Sequence, residues 1–451
     1  MGSSFTNQLF NLLFSPLGLL GIVLGWVIFN KAKRSRRLAW FLFSLFCYTA
    51  SLGKYEDQWI TAPPLVVPLE QLRDMGRPLT IVLLCLLLIL GIESADQGRR
   101  TFIPKPIKYL IVVQFAFFYK ILLFGEINFA LLGLITFVAL VLMLKLGPSR
   151  WLQNEQNFHL GVWSIAMAGV IFGFAGVYQG VFNLQAMTFL HGRFTGTTGN
   201  PLHATALLAA TIPSLMFLIE MRQKWDWVKV FWIANLFILL YFLFLTGSRT
   251  GLIMAVPTIL LFYRQRLGTL LRLGFFVGIV LAFMLYLQGP DVVMSNTVAS
   301  RYSSTQNTRE GVWSSMSSKF IKYPVFGAPL EGGRLGFGES TWLATGSTTG
   351  LIGFIPLVMM GIECVKMMFK LHQLSSKNSS YIPHCSTVIG GLTSLLSGSF
   401  TEAILLGNLT FPVISLIMYL SLGKYLLLQD ERQSRSYFME NNATFRFFRN
   451  S

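Results

Sequence analysis

Apolar residues in this chain neither alternate nor keep to one helical stripe; they run in blocks. Residues 79–92 (LTIVLLCLLLILGI) and 131–146 are apolar on every face, which suits a helix surrounded by lipid better than one with a wet side. Blocks of this kind centre on 8–30, 38–53, 79–93, 109–124, 127–146, 161–180, 201–220, 228–246, 250–264, 271–288, 341–365, 385–405 and 408–427. Several are short for a ~30 Å hydrocarbon core, so the pattern predicts about 11–13 transmembrane helices. No internal repeat and no soluble domain is visible. The prediction is an all-α, polytopic integral membrane protein with a single transmembrane domain over 1–451.

The polar residues between the blocks are sorted by charge. Lys31, Lys33, Arg34, Arg36 and Arg37 follow the first block, and Arg99, Arg100, Lys105 and Lys108 follow the third. Further clusters are Lys145 with Arg150, Arg222 with Lys224 and Lys229, Arg264 with Arg266 and Arg272, Lys366 with Lys370 and Lys377, and Arg432 with Arg435. If the spans alternate, every cluster falls on one side, which the positive-inside rule makes cytoplasmic. The N-terminus is then periplasmic, and residues 428–451 form a cytoplasmic tail. On the opposite side Lys54, Arg73 and Arg77 lie among Glu56, Asp57, Glu70 and Asp74 and are expected to be solvated. A periplasmic loop over 289–340 holds Arg301, Arg309, Lys319, Lys322 and Arg334. Loops that long in compact proteins usually carry function. Trp313, Met316 and Phe320 repeat at helical spacing inside it, predicting a short amphipathic helix; interfacial anchoring accounts for those three as well as catalysis does.

Composition agrees. The chain is 53% hydrophobic and 12% charged, against roughly 25% charged for a soluble domain, and its mean hydropathy is +0.58. A net charge of +17 invites a nucleic-acid partner, but the cations sit between apolar blocks, where they orient helices and meet anionic lipid. No nucleic acid is expected. Cys47, Cys85, Cys364 and Cys385 form no CxxC pair, and no metal site is expected. The first apolar block lacks a basic segment before it, so it does not read as a cleaved signal peptide.

Arg249 stands in the turn 246–253, TGSRTGLI, between two apolar blocks. An arginine near bilayer depth costs a few kcal/mol and usually faces a polar cavity and a partner; a helix starting here would aim free N–H groups at an anion. The competing account is snorkelling to headgroups. Arg193 opens RFTGTTGNP, whose end predicts a helix start with Asn200 as N-cap and Pro201 in the first turn. His203 follows, and a lone histidine there is more often structural. Glu339, at the end of the long loop, is positioned to act as a general base or to pair with Arg301 or Arg309. These residues define an arginine-rich, anion-facing pocket on the non-cytoplasmic side.

The order of these landmarks resembles the O-antigen ligase and O-antigen polymerase superfamily of bacterial inner-membrane enzymes. Arg193 with Gly196, Asn200 and Pro201 is similar to its arginine–glycine–Asn-Pro segment, and Thr246 to Leu252 resembles its Gly-Ser-Arg-[Ser/Thr]-Gly-Leu turn. Arg309, Trp313, Pro324 and Gly327 resemble its Arg-x-x-x-Trp…Pro…Gly loop. Glu339-Ser-Thr-Trp-Leu343, seven residues ahead of Gly350-Leu-Ile-Gly353, resembles that loop's end. The similarity covers about 190–360 with motifs; the rest matches by hydropathy alone. Family ligases carry His-Asn where this chain has Glu339-Ser340, whereas polymerases often have an acid, so the resemblance favours a polymerase over a ligase.

What the resemblance implies is metal-independent glycosyl transfer at the periplasmic face, with no cofactor, from a saccharide carried on undecaprenyl diphosphate. Arg193, Arg249, Arg301 and Arg309 would bind the diphosphate, with Arg249 also catalytic; Glu339 would be the base, and Asn200, His203 and Ser340 further site residues. Membrane lipids and a chain-length regulator are the implied partners. A transporter or flippase of an anionic glycolipid is the alternative from another class, but the paired broken halves typical of transporters are not visible.

Overall fold

The computed structural model describes residues 16–53, 56–57, 60–61, 64–93, 103–183, 188–189, 192–266, 268–272, 274–275, 302, 309–330 and 339–447. Thus Arg301 and most of the expected span 271–288 and loop 289–340 lie outside the described residues. The protein is an all-α bundle: α1 (Pro16–Ala32), α2 (Arg36–Thr49), α3 (Gly76–Glu93), α4 (Lys105–Phe124), α5 (Ile127–Leu146), α6 (Glu155–Asn183), α7 (Pro201–Glu220), α8 (Trp227–Leu245), α9 (Arg249–Phe262), α10 (Glu310–Lys322), α11 (Thr341–Lys377), α12 (Ile382–Thr401) and α13 (Phe411–Phe447). The strands described are two two-residue antiparallel pairs; one sets Phe189 against Arg193.

Among the described residues eight helices are long and apolar enough to cross a bilayer, fewer than the pattern predicts. Two expected spans, 8–30 and 271–288, lie partly outside the described residues; the rest of the difference has physical causes. Helices α2 and α9 have 14 residues each, so at ~1.5 Å per residue they are too short to span alone. Helix α12 is long enough, but Ser386, Thr387, Ser394 and Ser399 give it a polar, small-residue face that is buried against protein. Close helix packing in lipid favours such residues; the ring of Tyr419 lies directly over Gly391. Within their apolar windows α7 and α13 are 78% buried, and α5 and α8 28%, so the first pair forms the centre of the bundle and the second its rim.

Several of the sorted charges, among the described residues, hold neighbouring helix ends together. Lys33 Nζ meets Glu93 Oε1 at 2.8 Å, and Arg266 pairs with Glu220. Arg264 donates to His372 Nδ1, Ser375 Oγ and Ser386 Oγ. The turn before α2 thus meets the end of α3, and the turn after α9 meets the ends of α7 and α11 and the start of α12. The expected tail from 428 is a continuation of α13 to Phe447, since no glycine or proline interrupts 428–447 and propagating an existing helix is far easier than nucleating one.

Candidate functional site

The site is built around the turn between α8 and α9. Helix α8 ends at Leu245, Gly247 turns the chain at φ +56°, and α9 begins with Arg249. Thr246, Ser248 and Thr250 are buried, whereas Arg249 is exposed. Two distant arginines touch this turn. Arg193 Nε donates to the Thr246 carbonyl at 2.9 Å, its strand pinned by Phe194, whose ring stacks on Phe242 at 4.4 Å. Arg309, just before α10, donates from Nη2 to Thr250 Oγ1 at 3.3 Å. Asn200 caps α7 by accepting from Leu202 N at 2.8 Å, as the Asn-Pro pair predicts.

Arg309 is also the hub of an acid pair. Its Nε lies 3.0 Å from Glu339 Oε2, Nη2 contacts Glu402 Oε1 and Nη1 donates to the Thr401 carbonyl. Thr250 Oγ1 donates to Glu402 Oε1 at 3.2 Å. The Glu402 backbone is fixed in turn, its carbonyl accepting from Thr341 N at 3.1 Å and Thr341 Oγ1 at 2.9 Å. Glu402 lies in the connection between α12 and α13, outside the helices. Burial pushes its carboxyl above the ordinary range, Arg309 pulls it back, and nearby Glu339 pushes it up again. Ser340, between Glu339 and α11, is buried at φ +98°. That conformation is costly for serine and persists only where surroundings enforce it.

A cavity of about 1370 Å³ opens beside the acids. Glu339, Glu402, Asn200 and His203 line it, together with Arg73 and Arg77 and an apolar wall that includes Phe117, Phe129 and Phe411. Arg73 and Arg77 are expected to be solvated from sequence; in the structure Arg73 is 4% exposed, and both face the cavity. Arg73 is a buried residue of the short helix Leu69–Asp74 itself, with Asp74 Oδ1 3.7 Å from its Nε. Loop 402–410 roofs the cavity, tied down by Gln114 Nε2 to the Leu406 carbonyl (3.4 Å) and by Asn408 Nδ2 to the Gly133 carbonyl (3.0 Å).

The structure thus brings Arg193, Arg249 and Arg309 to one turn, and Asn200, His203 and Glu339 to one cavity, at the end of the bundle away from the basic turns. Arg309, however, is engaged by two carboxylates rather than held open. Sequence reasoning misses Glu402, Thr250 and Arg73. Glu402 does leave a signal: it is the one acid in the apolar stretch 385–427, and an acid there needs a cation. No metal site is expected from sequence, yet at the opposite end Glu155, His159 and His384 converge. Comparison with protein-family models gives no match, and comparison with curated proteins gives none either.

Proposed function

We propose that the protein is a polysaccharide polymerase of the bacterial inner membrane, transferring saccharide from an undecaprenyl-diphosphate carrier to an acceptor sugar hydroxyl at the periplasmic face. The observation that carries this is the acid pair Glu339–Glu402, joined through Arg309, beside a large cavity and next to the turn that holds Arg193 and Arg249. In the reaction the acceptor oxygen attacks the anomeric carbon, the bond from that carbon to the diphosphate oxygen breaks, and the hydroxyl proton passes to a carboxylate. Glu402 is suited to hold that proton because its carboxyl is raised, and Glu339, the more exposed of the two at 33%, is suited to meet the hydroxyl. Two carboxyls in unlike environments are a usual basis for dividing acid and base roles.

Arg193 and Arg249 then serve the diphosphate. Negative charge grows on it as the glycosidic bond breaks, and fixed guanidiniums stabilise that charge best where water is sparse. Each charge-assisted bond contributes roughly 1.5–3 kcal/mol. Arg309 is a positioning residue here, holding the two acids in place. Arg73 and Arg77 give the cavity a cationic wall for the rest of an anionic donor.

The test is the purified protein in detergent with a lipid-linked repeat unit, its products resolved on a gel. A ladder of lengthening products is expected, absent in Arg249→Ala and Glu339→Gln while membrane insertion stays normal. Full-length product from Arg249→Ala overturns the arginine assignment. Preformed polymer moved whole to lipid A-core or protein, with no lengthening, makes the enzyme a ligase.

A further inference from the structure

At the basic end of the bundle, Glu155 and His159 lie four residues apart in the first turns of α6, a spacing that puts both side chains on one helix face. His384, in the first turn of α12, meets them from across the bundle. Its Nε2 is 3.4 Å from Glu155 Oε1, and His159 Nε2 is 3.7 Å from the same oxygen. One donor atom from each of the three residues falls within 4.8 Å of the others.

The 3.4 and 3.7 Å separations are long beside the usual hydrogen bond of about 2.7–3.2 Å. They are near the edge of a tetrahedron around an ion bound at about 2.0–2.2 Å, whose ligand atoms sit roughly 3.3–3.6 Å apart. The nitrogens are also poorly satisfied. His384 is 5% exposed, yet neither of its ring nitrogens, nor His159 Nε2, makes a hydrogen bond of good geometry, and both rings turn to the Glu155 carboxylate. Buried polar atoms are normally satisfied. The aromatic walls leave the imidazoles little freedom to turn away: Phe217 packs 4.9 Å from His159 and 5.2 Å from His384, and Phe158 5.1 Å from His384. Glu155, with its side chain 65% exposed, gives an ion its way in from water.

We propose that Glu155, His159 and His384 form a binding site for a borderline divalent cation, zinc above all, that ties α6 to α12. Two imidazoles and one carboxylate are a zinc-type donor set, and a water completes the fourth position at the exposed side. The site stands apart from the acid pair and the cavity, so it acts on helix packing and takes no part in the transfer proposed above.

The experiment uses the full-length protein with its affinity tag removed, stripped with EDTA in detergent and titrated with zinc chloride. One zinc per chain is expected, with a rise in Tm on zinc addition, and Co²⁺ is expected to give the visible absorption of a four-coordinate site. His384→Ala and Glu155→Gln should each weaken zinc binding at least ten-fold, while His372→Ala binds as wild type. Glu155 is exposed, so Glu155→Gln keeps the fold even if His384→Ala does not. Equal zinc affinity in wild type and Glu155→Gln, or a cobalt spectrum no different from free ion, overturns the proposal.

Discussion

Glu402 shows how one residue can be held where its charge is disfavoured. With its side chain 6% exposed, the carboxylate persists because Arg309 and Thr250 stand against it. Removing one partner of a buried pair typically costs 3–5 kcal/mol. We expect Arg309→Ala to cost about 3 kcal/mol, the low end of that range, because an orphaned carboxyl can take up a proton. The double replacement Arg309→Leu with Glu402→Leu should recover most of the loss, read by thermal unfolding in detergent; additive losses would mean that the two do not interact. The raised Glu402 carboxyl also fixes a pH dependence. A folded-state value above the unfolded one means that protonation favours the native state. Its contribution is complete below about 4.5, the ordinary value, and is lost as pH rises through the raised value. Wild type should therefore lose Tm relative to Glu402→Gln as pH climbs from 4.5, and a constant difference would contradict the assignment.

Among the elements, α11 does the most to position the site. It begins at the acid pair and continues to Lys377, but Gly350 breaks it at φ +61°. Residues 324 and 325 dock into the break: Leu351 N donates to the Pro324 carbonyl at 2.7 Å, and a side chain at 350 would overlap the Val325 carbonyl. Lys120 of α4 holds the same loop through the carbonyls of Phe326 (2.9 Å) and Gly327 (3.1 Å). Gly350→Ala should cost at least 1–3 kcal/mol from backbone strain alone. It should also free the loop, read as faster proteolytic cleavage near 323–330; an unchanged cleavage rate would argue that the docking is unimportant. The sequence anticipates much at this scale, because each signal is local. Hydropathy finds the long spans, the Asn200-Pro201 pair marks the start of α7, and Trp313, Met316 and Phe320 mark α10, where Met316 is buried and Phe320 meets Phe354 at 5.2 Å. What it misses depends on distant packing. Nothing in the neighbourhood of Arg309 points to Glu402, nothing near Arg73 announces the cavity, and His384 gives no sign of Glu155.

Over the whole molecule, the ends of the bundle differ in chemistry. One carries the basic turns, with Arg264 capping α9, Arg266 paired with Glu220 and Lys33 reaching Glu93. The other carries the acid pair, the cavity and the arginine-touched turn. An enzyme acting on a lipid-borne diphosphate must open its cavity on the side where its substrate's headgroup stands, so sidedness and function are linked: if the basic end faces the cytoplasm, the cavity faces the periplasm. Single cysteines can read this directly. Lys224 and Glu126 are exposed at opposite ends of the bundle. Among the native thiols Cys47, Cys364 and Cys385 are buried and Cys85 is exposed, so Cys85→Ser provides a quiet background. On that background, a membrane-impermeant maleimide should label Glu126→Cys in intact spheroplasts and Lys224→Cys only in inverted vesicles. The reverse pattern would turn the cavity toward the cytoplasm, and a periplasmic polymerase could not work from there.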